Sequence, residues 1–284
     1  MGTSRQQDSA LEQQLRWLLP RRGPVSAPLA TLLDPAQRVN ILSLLGGARG
    51  ELAGLEKSLH TLESLAVATQ LKAAVALSGL FSEADLRRML RDSPAAHERD
   101  LRSLLQALLG RVDERAARSG NAPEQVLLAG LRTQLEGALA TLALQQLSAA
   151  ARRTGRAEDG RGTTWLMAIP FKWAGVVSDL ELAIEQRDRP RGQSGAEDDG
   201  WRVNLRLSLP GLGPLEAELS LQGRVVAVVL YAQLPAALDV LHSRSPLLQM
   251  ALERCGLQVS VLRCLLGTAR SHAPRLQPGL DCTA

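Results

Sequence analysis

The clearest pattern of hydrophobic and polar positions is a strict alternation in the last third of the chain. From Trp201 to Leu209 every second residue is apolar, and the same holds from Leu215 to Leu221. This period of two is typical of strands that bury one face of a sheet. Two further segments, Trp165–Ile169 and Val176–Gln186, are predicted as a first pair of strands. The alternation therefore predicts a β-sheet packed on one side.

The following segments complete this predicted sheet. Gln222–Arg224 is predicted as a tight turn into Val225–Tyr231, which is apolar on both faces and is therefore predicted as a central strand. The next segment has helical spacing, with a helix restarting at Ser245–Pro246 and ending at Gly256. Leu257–Val261 is the last predicted strand. These elements predict an antiparallel sheet with a covering helix.

A turn rich in proline and glycine, Pro210–Pro214, joins the two alternating strands. If Leu209 pairs with Leu215 across this turn, Arg206 lies opposite Glu218 on the solvent side. Opposite charges across a strand pair are stabilising, so both faces favour this register.

The first half of the chain has helical spacing instead. Apolar residues recur at steps of three and four in a helix over residues ~95–118 and in another over ~123–152. A further helix is predicted to begin at Ser82, and Gly46–Gly50 is predicted as a helix break. Each apolar stripe must be covered, either by the other helices of a small bundle or by a partner helix. The two leucine stripes consist of Leu101, Leu104, Leu105, Leu108, Leu109 and Val112, and of Leu128, Leu131, Leu135, Leu139 and Leu142.

Changes of composition predict the domain organisation. We expect a flexible N-terminus over 1–36, a helical region over 37–151, a linker over 152–162, an α+β domain over 163–267 and a disordered tail over 268–284. The predicted fold class is therefore α+β, with an N-terminal α-helical region followed by a compact antiparallel β-sheet domain with a covering helix. The charged segment between the strands, 187–200, is expected to be a mobile loop.

Charge and cysteine content narrow the function classes. The net charge of +4 is mild for 284 residues, and no basic patch is interleaved with aromatic residues, so nucleic acid is not a predicted partner. No apolar segment reaches the ~18 residues that span a bilayer, and no secretory signal is found at the start. Three cysteines without a CxxC pair favour a reducing compartment. We therefore expect a cytoplasmic protein that does not insert into membranes.

Candidate catalytic and metal-binding sets are sparse. Asp239 and His242 are expected to form a surface pair on one helix face, and Glu197–Asp199 is expected to be solvated rather than a cation site. Gly46–Gly50 lacks the Lys-Ser/Thr of a phosphate-binding loop. We therefore expect no catalytic residues, no metal, no cofactor and no small-molecule substrate, and we do not expect an enzyme.

Several motifs together resemble the C-terminal domain of bacterial flagellar hook-length control proteins. The similarity covers roughly residues 77–267, and it depends on the order and spacing of the motifs rather than on any one of them. The motifs are Trp165–Pro170, Trp201–Leu209, Leu212–Leu215, Leu221–Gly223 and Leu252–Val259, with Ser78–Phe81 and Gln134–Leu147 upstream.

The resemblance implies a binding function in flagellar type III export. It implies that the domain over 163–267 contacts the cytoplasmic domain of the export gate and switches export from hook-type to filament-type substrates. It further implies that the protein is itself exported, with hook and hook-cap proteins as additional partners. The surface we expect to meet the partner is the apolar turn, because exposed apolar patches often mark partner sites. It consists of Leu209, Pro210, Leu212, Gly213, Pro214 and Leu215.

Alternatives remain at this point. The turn residues also fit a purely rigid turn, since proline restricts φ and glycine permits tight geometry. Length-measuring members of the family have long, poorly structured N-terminal regions, whereas this chain has a short helical one, so the role of a ruler stays open. The leucine stripes suggest a second hypothesis, a non-catalytic adaptor with a helical docking domain unrelated to hook length. A nucleic-acid binder is supported only by the mild basic excess.

Overall fold

The computed structural model describes residues 15–77, 101–153, 164–187 and 200–269. Within them, a 3-10 turn at Leu19–Arg21 precedes the helices α1 (Ser26–Leu32), α2 (Arg38–Leu44), α3 (Arg49–Ser58), α4 (Leu62–Leu65), α5 (Ala68–Leu77), α6 (Leu101–Arg118), α7 (Ala122–Arg153) and α8 (Pro235–Arg254). The strands are β1 (His60–Thr61), β2 (Thr164–Trp173), β3 (Val176–Arg187), β4 (Gly200–Leu209), β5 (Gly213–Gln222), β6 (Val225–Ala232) and β7 (Gln258–Leu266). The predicted α+β class, with a helical N-terminal region and a helix packed on the sheet, is confirmed.

The chain divides into two compact units. Among the described residues, the first unit comprises 15–77, 101–147 and 169–179, and the second comprises 148–153, 164–168, 180–187 and 200–269. Strands β2 and β3 therefore have residues in both units. The predicted region limits, with a linker over 152–162, stay predictions.

The leucine stripes of α6 and α7 are buried in the first unit, where α6 packs against α3. Their burial supports packing among the helices of this unit as the explanation for the stripes. The helix predicted from Ser82 and the predicted start of α6 over 95–100 lie outside the described residues. The nearly fully buried members of the stripes are Leu101, Leu104, Leu105, Leu108, Val112, Leu128, Leu131, Leu135 and Leu142.

The N-terminal segment, expected to be flexible over 1–36, is packed where the structure describes it. Val25, Leu29 and Leu32 are fully buried, and their steps of four and three place them on one face of a helix. The segment before α1 is fixed to α7 by hydrogen bonds at Gly23, whose N–H also donates to the Thr141 hydroxyl (3.2 Å). Gly23 N–H donates to the carbonyl oxygen of Gly137 (3.0 Å), and the Thr141 hydroxyl donates to the carbonyl oxygen of Gly23 (2.7 Å).

A carboxylate from the strand region stabilises the start of α1. The Oδ2 atom of Asp179 accepts hydrogen bonds from the Ser26 N–H (3.1 Å) and the Ser26 hydroxyl (2.9 Å). A negative charge at this position suits the partial positive charge of a helix N-terminus. Nearby in the same unit, β1 pairs parallel with β2 through His60 and the fully buried Phe171. The first unit is therefore helical with a small β-component.

The sheet of the second unit is mixed. Its strands lie side by side in chain order from β3 to β7. The pairs β3–β4, β4–β5 and β5–β6 are antiparallel, as expected, whereas β6–β7 is parallel. The reason is α8, which connects β6 to β7 and carries the chain back to the edge where β6 began.

The turn between β4 and β5 is tighter than predicted. Leu209 pairs with Gly213, so the turn consists of residues 210–212, and the predicted register is wrong by two residues. A shift of two keeps every side chain on its predicted face, because side chains alternate with a period of two. The new register places Arg206 opposite Glu216, which still pairs opposite charges.

Helix α8 runs without interruption, although a restart at Ser245–Pro246 was predicted. Pro246 lies inside the helix, and a serine hydroxyl takes the place of the amide that proline lacks. The helix packs on β6 and β7. The half-buried residues of α8 form one stripe, which consists of Leu238, Leu241, Ser245, Leu248 and Leu252.

The predicted end of α8 at Gly256 is confirmed. Gly256 has φ 80°, its N–H donates to the carbonyl oxygen of Glu253 (2.8 Å), and Leu257 N–H donates to that of Leu252 (3.2 Å). This pair of bonds is a Schellman motif. Arg224, in the turn between β5 and β6, donates from Nε to the carbonyl oxygen of Gly256 (3.1 Å) and thereby ties the turn to the helix end.

Candidate partner-binding surface

The turn after β4 has a conformation that its sequence requires. Leu212 N–H donates to the carbonyl oxygen of Leu209 (3.1 Å), which closes a four-residue turn. Pro210 occupies the second position, where its fixed φ is suitable, and Gly211 has φ 80° at the third. Gly213 follows with φ 69°. The glycines are therefore needed for the shape of the turn.

The six residues predicted to meet a partner divide into buried and accessible ones. Leu209 and Leu215 are only 8% and 9% exposed, because both point into the packed face of the sheet. Pro210 is exposed and Leu212 is half-buried, as are Gly213 and Pro214. The part of the turn that a partner can contact is therefore its tip.

Two exposed leucines from other segments lie at the same end of the sheet. Leu234, between β6 and α8, is 45% exposed, and a Cβ atom on Gly213 would lie 3.0 Å from its Cδ1 atom. Leu266, at the end of β7, is 57% exposed and pairs with Ala232, the last residue of β6. Because β4, β6 and β7 all end where β5 begins, these segments converge. We call Pro210, Leu212, Leu234 and Leu266 the apolar end of the sheet.

The segments that form the apolar end contain no charged residue. They are Leu207–Leu215, Ala232–Leu238 and Cys264–Ala269. The opposite end of the sheet differs, since Arg224 lies there in the turn between β5 and β6. Charged residues are depleted at the centres of protein interfaces, so this composition is typical of a surface that binds another protein.

The comparison with protein families assigns this part of the chain. Residues 189–273 match the family model described as flagellar hook-length control protein FliK. This part of the chain is similar to the flagellar hook-length control family. No curated protein matches the chain, and neither does any solved structure.

The hook-length control domain contains β4 to β7 and α8, and therefore the whole apolar end. The match supports a FliK-like hook-length control role in flagellar export for this domain, and an association with the flagellum. The matched family is a regulatory domain and not an enzyme family. The resemblance predicted from the sequence motifs is thereby confirmed over residues 189–273, whereas the motifs Ser78–Phe81, Gln134–Leu147 and Trp165–Pro170 lie outside the match.

The solvent-facing side of the hook-length control domain carries compensated charges. Arg206 donates from Nε to Oε1 of Glu216 (3.1 Å), and its Nη1 lies 3.5 Å from Oε2 of Glu181. The backbone N–H of Ala269 donates to Oε2 of Glu216 (3.1 Å), and Ala269 is only 6% exposed. The first residues after β7, which the sequence predicted to begin a disordered tail, are therefore fixed to the sheet.

The two described cysteines differ in their exposure to solvent. Burial raises the pKa of the Cys264 thiol, whereas Cys255 is exposed.

Within the described ranges, no three His, Cys, Asp or Glu residues are grouped so that they could hold a metal ion. No helix described by the structure is long and apolar enough to cross a bilayer. The acidic run Glu197–Asp199 and the loop predicted over 187–200 lie largely outside the described residues.

Sequence reasoning missed Leu234 and Leu266. The predicted last strand ended at Val261, which left Leu266 in a connecting segment, but β7 continues through Leu266. Leu234 is the residue before Pro235, the first residue of α8, and it lies in the connection between β6 and this helix. The sequence signal for both residues is the absence of charge in three separate segments. This signal indicates a common surface only when the strand register shows that the three segments lie at the same end of the sheet.

Proposed function

We propose that the hook-length control domain switches the flagellar type III export apparatus from hook-type to filament-type substrates by binding the cytoplasmic domain of the export gate through the apolar end. The observation that carries this proposal is the convergence of three uncharged segments at one end of the sheet. Leu234 and Leu266 are half exposed there, and a partner that covers them gains roughly 1–2 kcal/mol for each.

The proposal includes where the protein acts. It meets the gate from the cytoplasmic side and is itself a substrate of the export apparatus, so hook and hook-cap proteins are further proposed partners. The tip of the turn at Pro210 and Leu212 contributes a rigid contact, because proline and the neighbouring glycines fix its backbone. A rigid apolar contact loses little conformational entropy on binding.

The test is complementation of a strain from which the gene has been deleted. Deletion is expected to give abnormally long hooks without filaments, measured by electron microscopy. The wild-type gene should restore hook length and filaments, whereas the double variant Leu234→Glu/Leu266→Glu should not. Val126→Glu is the control, since Val126 is 74% exposed on α7 and accepts a charge without loss of packing.

A binding measurement separates loss of contact from loss of folding. The double variant should bind the purified cytoplasmic domain of the export gate roughly 30- to 700-fold more weakly, with an unchanged circular dichroism spectrum. Normal hooks and filaments after deletion would contradict the proposed function. Full complementation by the double variant would show that the apolar end is not the contact surface.

A further inference from the structure

Strand β7 has an open side along the edge of the sheet. It pairs with β6 on one side, and no other strand within the described residues pairs with it. Exposed edge strands are normally short or carry charges, because their unpaired main-chain groups bind other strands. Strand β7 has nine residues, and Arg263 is the only charged one among them. The edge is therefore long and weakly protected.

The main-chain groups on the open side follow from the hydrogen bonds on the other side. The N–H of Gly267 points to β6, because it donates to the carbonyl oxygen of Ala232 (2.8 Å). The main-chain groups of successive residues in a strand point alternately to its two sides, so those of Leu262 and Cys264 point away from β6. An extended chain presents donors and acceptors at the matching spacing, which is how a peptide adds a strand to a sheet edge.

The chain after β7 leaves this edge. Gly267 is bound to the end of β6, and the N–H of Ala269 donates to Oε2 of Glu216 on β5 (3.1 Å). The chain therefore crosses the sheet toward β5. Where the structure describes the residues after β7, they do not occupy its open side.

The side chains of β7 indicate the composition of an added strand. Val261 and Leu265 are 36% and 43% exposed on one face, and exposed Arg263 lies between them. Neighbouring side chains on adjacent strands stabilise a sheet when apolar residues meet apolar ones and opposite charges meet. The matching strand has an acidic residue beside Arg263 and apolar residues beside Val261 and Leu265.

The acidic residues on the same face of the sheet are too distant to cancel the charge of Arg263 at the edge. Strand β6 contains no charged residue, and the acidic residues of β5 are Glu216, which Arg206 compensates, and Glu218. Strands lie about 4.8 Å apart, so an added strand is one spacing from β7 and three spacings, about 14 Å, from β5. The screening length at physiological ionic strength is about 8 Å.

Helix α8 does not supply the missing negative charge either. It packs on β6 and β7, and the half-buried residues of β7 next to Arg263 are Leu262 and Cys264, so Arg263 lies on the face that the helix does not cover. The charged residues of α8 are two acidic and two basic ones, which add no net charge. They are Asp239, Arg244, Glu253 and Arg254.

A second copy of β7 fits this edge less well than an acidic strand. In an antiparallel pair of two β7 strands centred on Leu262, Arg263 or Cys264, the two Arg263 side chains lie opposite or diagonally beside each other on one face. Like charges in such positions are destabilising. The charge of the edge therefore favours a different protein as its partner.

We propose that the open edge of β7, residues 261–265, binds an extended segment of a partner protein as an added strand, with an acidic residue beside Arg263 and apolar residues beside Val261 and Leu265. This edge and the apolar end share no residue. The proposal therefore does not depend on export-gate binding through the apolar end.

The probes are two labelled synthetic peptides of ~7 residues, within the usual length of a strand. On one face both carry valine, a central charged residue and valine, and on the other face both carry threonine. The central residue is glutamate in one peptide and lysine in the other. Binding to the full chain is measured by fluorescence anisotropy. The glutamate peptide should bind at least about tenfold more tightly than the lysine peptide.

A third peptide tests whether the main chain pairs. It has the sequence of the glutamate peptide, with N-methyl groups on the amides of both of its edges. It keeps the side chains and the charge but lacks the donors that pair along β7. It should bind about tenfold more weakly than the glutamate peptide or less well still.

Matched variants locate the binding edge. Arg263→Glu should reverse the preference between the glutamate and lysine peptides. Lys57→Glu is the control, since Lys57 is exposed on α3 and the substitution changes the net charge by the same amount. Cys264→Pro removes an N–H that points away from β6, and it should weaken binding of the glutamate peptide about tenfold or more. If circular dichroism shows that Cys264→Pro does not fold, the methylated peptide supplies the same test.

Several results would overturn the proposal. They are no binding of the glutamate peptide at ~100 μM, equal affinity for the glutamate and lysine peptides, equal affinity for the methylated and unmethylated peptides, or an equal response to Arg263→Glu and Lys57→Glu. Self-association of the full chain that Arg263→Glu strengthens or abolishes, measured by sedimentation equilibrium, would also overturn it, because it would assign the edge to a second copy of the chain.

Discussion

The hydroxyl of Ser245 donates a hydrogen bond of 2.9 Å to the carbonyl oxygen of His242. In a regular helix this carbonyl would accept the amide of the residue four positions later, but that residue is Pro246, which has no N–H. The hydroxyl therefore satisfies a carbonyl that proline leaves without a donor. This bond helps α8 to continue through Pro246.

Removing the Ser245 hydroxyl should therefore destabilise the hook-length control domain. We expect Ser245→Ala to lower the free energy of unfolding by about 1 kcal/mol, measured by urea denaturation followed by circular dichroism. Ser243→Ala is the matched control. The Ser243 hydroxyl also donates to a backbone carbonyl, that of Val240 (2.8 Å), but Arg244 four residues after Val240 retains its own amide donor. The control should change stability by only a few tenths of a kcal/mol.

The stabilising effect of the Ser245 hydroxyl should depend on Pro246, because Pro246 lacks the amide that the hydroxyl replaces. Pro246→Ala supplies the missing amide, so Ser245→Ala should cost much less in a Pro246→Ala background than in the wild type. An equal cost in both backgrounds would show that the Ser245 hydroxyl does not substitute for the amide.

The glycines of the turn after β4 should be sensitive to alanine for two different reasons. Gly211→Ala is expected to cost about 1–2 kcal/mol from its φ of 80° alone, since a Cβ atom there has nothing within 4 Å. Gly213→Ala should cost more, because its Cβ atom would also lie 3.0 Å from Leu234 Cδ1. Gly130→Ala, inside α7 with no neighbour within 4 Å, should instead stabilise by roughly 0.5–1 kcal/mol. If both substitutions lower the free energy of unfolding by the same amount, the contact with Leu234 does not contribute to the cost of Gly213→Ala.

The two described cysteines should react at different rates with a thiol reagent. Burial raises the pKa of the Cys264 thiol, and the thiolate is the reactive form, so less of Cys264 is reactive at any pH below this raised pKa. In a Cys282→Ser background, exposed Cys255 should be labelled first. The rate at Cys264 should still increase above pH ~8.5, where an unperturbed thiol is half ionised. Single serine variants assign the two phases, and faster labelling of Cys264 at pH ~7 would contradict the burial argument.

Strands β4 and β5 were predictable because their signal is local. Each alternates between apolar and polar residues over its length, and the structure places them at Gly200–Leu209 and Gly213–Gln222. Their register was not predictable in the same way. The pairing depends on whether residues 210–212 close a tight turn, and both registers place the same residues inside.

The parallel direction of β7 and the continuity of α8 depended on tertiary structure. A proline within helical spacing normally indicates a boundary, and only the position of the Ser245 hydroxyl reverses that expectation. The candidate surface was likewise only partly predictable from the sequence. The tip at Pro210 and Leu212 follows from the sequence, whereas Leu234 and Leu266 join it only through the pairing of β6 with β7.

The parallel pairing of β6 with β7 also has a consequence for how the domain folds. The strands β4, β5 and β6 are joined by the short connections 210–212 and 223–224, whereas β7 follows only after residues 233–257. The entropy lost in closing a loop grows with its length, and pairings between distant residues form more slowly. The two hairpins are therefore expected to form first, with the edge strand as the last to attach. Transient opening at β7 would then expose the edge of β6 while the β4–β6 meander stays folded.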